Sequence, residues 1–116
     1  MHLELTNADI SEYIEILNEI IVSLKQSENN DHAKIVHEIL EKLAQNQIDE
    51  FISKLNSVEM WGGSGAVWEV FIEDNKLQAR FENAIIRLIN LMERTQILGG
   101  GIKPIRRIFK KNQGII

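Results

Sequence analysis

Apolar residues recur at steps of three and four through two stretches near the ends of this chain, and that period most limits what it can fold into. In residues 7–26 the series is Ile10, Tyr13, Ile14, Leu17, Ile20, Ile21 and Leu24. In residues 76–97 it is Leu77, Phe81, Ala84, Ile85, Leu88, Leu91 and Met92. Strands need alternation, so each stretch reads as a helix with one buried stripe. Thr6 or Asn7 can cap the first helix and Asp74 or Asn75 the last, because a short side-chain oxygen satisfies an orphan backbone N–H. Two shorter helices fit between them. One runs from His32 to about Ala44, capped by Asn30 or Asp31, with Ile35, Val36, Ile39, Leu40 and Leu43 on its apolar face. The other runs from Ile48 to about Asn56, with Ile48, Phe51, Ile52 and Leu55. The polar breaks at 27–31 and 45–47 are short, which favours antiparallel neighbours.

The period fails at residues 58–65, where Gly62, Gly63 and Gly65 cluster around Ser64. Residues 66–72 are rich in strand formers, yet no second strand is evident to pair with them. A short helix capped by Ser64 and bearing Val67, Trp68, Phe71 and Ile72 is the preferred reading. Gly99, Gly100 and Gly101 then end the final helix, and Pro104 prevents its simple resumption. The expectation is an all-α, single-domain bundle of four to five helices with a Gly-rich central turn. The first and last helices supply most of its core. The helical domain spans residues 1–98 and a Gly-led basic tail spans 99–116.

With 116 residues the chain can bury a core without a staple, and it has no Cys. That excludes a disulfide framework, a thiol nucleophile and a Cys-rich zinc site. No apolar run approaches the roughly 18 residues of a spanning helix. The opening MHLELTNADI lacks a cationic segment followed by an apolar one, so the reading is a soluble cytoplasmic protein. His32 and His37 are five apart, which places them on different sides of one helix. Glu38 and Glu41 have no Glu-x-x-His pair to complete a di-metal site. No metal and no cofactor is expected, and no nucleophile-elbow pattern points to an enzyme. The glycines at 62–65 could cradle an anion, but Ala66 and Val67 stand where a phosphate-binding loop needs Lys-Ser or Lys-Thr. A tight corner flanked by two Trp is the plainer reading.

Charge divides the chain. Residues 1–60 carry twelve acids and four bases, a net of −8, and residues 97–116 carry five bases and no acid. Glu12, Glu15, Glu19, Glu38, Glu41, Asp49 and Glu50 form a candidate partner-binding surface, with Trp61 and Trp68 as its anchors. Acids of this kind suit a basic partner, because complementary charge speeds association. Arg80, Arg87 and Arg94 repeat every seven residues and read as a solvated face. Lys103, Arg106, Arg107, Lys110 and Lys111 alternate with Ile105, Ile108 and Phe109, so the tail could instead meet phosphates, an anionic membrane surface or the acidic helices of this or a neighbouring chain. A nucleic-acid-associated regulator acting through that tail is the alternative function. A homo-oligomer stays open.

The run Met60-Trp61-Gly62-Gly63-Ser64-Gly65-Ala66-Val67-Trp68-Glu69 resembles a motif of small bacterial immunity-type proteins. In these a Gly-Gly-x-Gly turn joins an N-terminal helical region to a long final helix. The resemblance implies a bacterial, cytoplasmic, non-enzymatic protein that neutralises a cognate toxin by occluding its active cleft. It implies no catalytic residues.

Overall fold

A computed structural model describes residues 5–62 and 65–99, together with Ile102 and Ile105. Within them the chain is all-α. The helices are α1 (Asn7–Gln26), α2 (Asn30–Ala44), α3 (Ile48–Leu55), the single turn α4 (Val58–Trp61) and α5 (Asn75–Arg94), with a 3-10 turn at Val67–Glu69. No strand occurs among the described residues.

The first helix starts where its chemistry dictates. Asp9 N–H donates to Thr6 Oγ1 at 3.0 Å, and Thr6 N–H donates back to Asp9 Oδ2 at 3.0 Å, a reciprocal capping box. Asp74 caps α5 by accepting from the N–H groups of Lys76 and Leu77. The start of α2 departs from expectation. It begins at Asn30, two residues early, and Asn29 holds the cap position without a side-chain capping bond. Asn29 Nδ2 instead donates to Ser27 Oγ at 2.8 Å, which ties down the preceding turn.

Three helices end alike. After α1, Glu28 N–H donates to Lys25 O and Asn29 N–H to Leu24 O. After α2, Asn46 and Gln47 repeat the pattern onto Leu43 and Lys42. After α5, Gln96 and Ile97 repeat it onto Glu93 and Met92. Each is a Schellman motif, which needs one residue in the left-handed region. Here these are Glu28, Asn46 and Gln96, with φ of 63°, 59° and 64°. The helix expected to reach about Ile97 therefore stops at Arg94, before any glycine, because Gln96 reverses the chain.

The central helix is α1, packed between α5 on one side and α2 on the other, with α3 against α2. Two covered sides explain why Ile16, off the predicted stripe, is buried as fully as Leu17. On α5 the buried surface likewise widens to Ile86 and Ile89. Tyr13 joins three elements. Its ring meets Phe51 of α3 edge-on at 5.2 Å, and its hydroxyl lies 2.6 Å from Thr95 Oγ1 at the end of α5. Thr95 gives its own proton to Leu91 O, so Tyr13 donates. The core continues past α5, since Ile97, Ile102 and Ile105 are all buried. Asn56 straps this segment down, donating to Ile97 O and accepting from Gly99 N–H. The basic residues Lys103, Arg106, Arg107, Lys110 and Lys111 lie outside the described residues, as do Gly63 and Ser64 of the central glycine cluster.

Candidate interaction surface

The acidic residues singled out in the sequence fall into two groups. Glu12, Glu15 and Glu19 line the edge of α1 that faces α5. Glu12 meets Arg94 at 2.7 Å, Glu15 meets Arg87 at 3.3 Å and Glu19 meets Arg80 at 2.8 Å. Arg80 holds Glu19 through both Nε and an Nη. The pairing runs in opposite directions along the two sequences, as antiparallel helices require. The seven-residue arginine repeat, read as a merely solvated face, is thus the other half of an exposed ion-pair ladder. The hydrogen bond that Arg94 donates to Glu12 holds its guanidinium above its already high range, and Asp9 adds to the effect. Each pair contributes little to stability at this exposure. Together they give Glu12, Glu15 and Glu19 a cation each within the fold.

The second group lies on α2 and α3. Glu41 pairs with His37 at 3.1 Å when the imidazole is protonated, and Glu50 reaches Lys42 at 3.3 Å. Glu38 and Asp49 are exposed and make no ion pair with any described residue. Glu38 and Asp49 thus lack the cross-helix arginine partners that Glu12, Glu15 and Glu19 have.

Both tryptophans are half-buried, and both donate to the backbone around the glycine corner. Trp61 Nε1 donates to Leu55 O at 2.6 Å, and Trp68 Nε1 donates to Gly62 O at 3.1 Å. His32 Nε2 lies 3.0 Å from Gly65 O, and only its N–H form can donate there. The corner is tight at Gly62, where an added Cβ would meet Val58 Cγ1 and lie 2.6 Å from Val58 O. Gly65 is different: it has open space but a φ of +90°, which only glycine adopts without strain.

The short helix expected over residues 66–72 is a correction. Only Val67–Glu69 turn, as a 3-10 turn with Ala66 at its cap position. The chain then extends, and Ile72 N–H donates to Gln78 Oε1 at 2.8 Å. That side-chain partner substitutes for the helical one. Val67 and Ile72 stay buried, but Phe71, expected on the same apolar face, turns outward and is 75% exposed. It borders an open groove of about 400 Å³ between the end of α1 and the start of α5. Nothing in the sequence distinguishes Phe71 from its buried neighbours. An apolar aromatic in an apolar run reads as core until the backbone is known.

Among the described residues no three His, Asp or Glu side chains converge as metal ligands would. No helix among them is long and apolar enough to cross a membrane. Set against known proteins, the chain matches no family model, no curated protein and no solved structure.

Proposed function

We propose that this chain is a non-enzymatic binding module for a basic protein. The carrying observation is the α2–α3 face, where Glu38 and Asp49 stand exposed and make no ion pair with any described residue, beside Glu41 and Glu50. A basic surface meeting it gains complementary charge and faster association. The α1 acids are secondary, because a partner would have to compete with Arg80, Arg87 and Arg94. Trp61 and Trp68 act as staples of the corner, so their contribution to binding is one of shape. The finer reading, that the partner is a toxin whose cleft is occluded, is supported by the resemblance at residues 60–69 and by the acidity of the body.

The experiment is affinity capture from host lysate at low and moderate salt. It compares the natural chain with one in which Glu38, Glu41, Asp49 and Glu50 are changed to Lys. One basic protein, retained stoichiometrically and lost on charge reversal, is the expected outcome. Nucleic acid retained by the full chain and lost when residues 102–116 are deleted would replace this reading with a regulator acting through the basic tail.

A further inference from the structure

We propose that the groove beside Phe71 receives an arginine side chain from that basic partner. The inference rests on the function proposed above and adds the site and the residue type it takes. Phe71, Ile72 and Leu77 supply apolar surface, and Glu73 and Asp74 stand beside them. Asp74 Oδ1 accepts the two capping bonds of α5, which leaves Oδ2 available. Glu73 is exposed and makes no hydrogen bond or ion pair with any described residue. The first turn of α5 presents the equivalent of about half a positive charge and carries Lys76, whose side chain is exposed; the two carboxylates leave a small negative excess. The site therefore favours a cation with a long apolar stem.

Arginine fits better than lysine. Its planar guanidinium stacks on an aromatic face while its N–H groups fork to carboxylates. An ammonium is a compact, strongly hydrated charge that does only the second. Exposed phenylalanines that stand singly are common on protein surfaces. What separates Phe71 is its position on the wall of a groove that also holds an uncompensated carboxylate.

The test uses the full chain labelled with ¹⁵N, titrated with N-acetyl-arginine methylamide and separately with the lysine analogue. Millimolar arginine amide should shift resonances of residues 71–74, 77 and 26–29. The lysine analogue should bind several-fold more weakly. Phe71→Ala and Glu73→Gln should each weaken the arginine response at least fivefold while leaving the thermal midpoint unchanged. Shifts spread evenly over α2 and α3, an equal response to both amides, or indifference to Phe71→Ala would each overturn the proposal. A dimer of the natural chain that Phe71→Ala dissolves would assign this face to a second copy and overturn it as well. For a basic protein captured as above, Phe71→Ala should reduce affinity at least tenfold. Unchanged affinity sinks the arginine site and leaves the binding function standing. If no partner is captured at all, that function fails, and the amide titration still decides the groove.

Discussion

The α1–α5 pair and the corner at residues 58–74 use the same residue types to opposite ends. Along α1 and α5, every predicted carboxylate finds an arginine, and the large apolar residues of the two stripes turn inward. At the corner, two indoles are drawn into backbone hydrogen bonds while Phe71 is left outside. A row of acids or a pair of tryptophans thus does not by itself mark an interaction surface. What matters is whether the group already has a partner within the fold. By that measure Glu38 and Asp49, on α2 and α3, and the Phe71 groove are open to a second molecule.

The widest separation between the two regions lies in core packing. Leu17 is fully buried between the flanking helices of α1. Leu17→Ala should destabilise by about 3 kcal/mol, since it removes transfer energy and leaves a cavity. Phe71→Ala should change stability by no more than about 0.5 kcal/mol. Denaturant unfolding of both variants checks the pair of values. A large loss at Phe71 would mean that its ring supports the fold after all.

Alkaline pH probes the inner side of α1. Burial pushes the Tyr13 phenol up to about 12, and its hydrogen bond with Thr95 offsets only part of that rise. In the unfolded chain the phenol ionises near pH 10. Above that pH the unfolded state loses its proton first, so it binds fewer protons than the folded state and stability falls. The contribution is intact below pH 10 and lost as pH climbs through 12, at a full cost of about 3 kcal/mol. Tyr13→Phe should begin about 1 kcal/mol less stable, for want of one hydrogen bond. It should then decline less steeply between pH 9 and 11.5 when unfolding midpoints are measured. Parallel slopes would show that the phenol is solvated.

The helix ends give a smaller effect of opposite sign. Glu28 and Gln96 hold left-handed angles that cost a side-chain-bearing residue about 1 kcal/mol. Glu28→Gly and Gln96→Gly should each stabilise the chain by up to about 1 kcal/mol, less the extra freedom glycine has when unfolded. Asn46→Gly should gain less, because asparagine tolerates this region. Thermal midpoints that rise in that order would place stored backbone strain at the ends of α1 and α5. The corner avoids such strain by having Gly65 at φ +90°.

Where the helical period operates, residue fates were legible before the fold was known. The bounds of α1, a cap at Asp74 or Asn75 (Asp74 in the fold) and the burial of Phe81, Ile85 and Leu88 all follow from spacing and cap chemistry. Spacing could not show that Glu12 meets Arg94, because 82 positions separate them and only the antiparallel packing of α1 on α5 brings them together. Local pattern also could not anticipate Gln78 Oε1 capturing Ile72 N–H, the contact at which the chain runs extended and Phe71 faces outward. Asn56 was missed for a related reason. At a helix end asparagine reads as a simple terminator, yet here one amide bonds three separate backbone groups. The candidate surface was therefore half readable: its charge was, and its pairing was not.

The smallest effect tests that pairing directly. Glu15 and Arg87 are both well exposed, and their 3.3 Å contact is the longest of the three rungs. Glu15→Gln should cost at most about 0.5 kcal/mol in dilute buffer, and the cost should fade in 1 M salt, where the screening length shrinks to about 3 Å. Glu38→Gln removes a charge that makes no ion pair with any described residue, so it should cost nothing or stabilise slightly by relieving the net acidity of the body. Urea midpoints for the two variants at two salt concentrations suffice, since urea leaves the ionic strength unchanged. A salt-sensitive loss at Glu15 with none at Glu38 would show in solution that the α1 acids are committed to the fold and Glu38 is not. Identical behaviour of the two would erase the division on which the choice of binding face depends, and would return Glu12, Glu15 and Glu19 to equal standing as contacts for a basic partner.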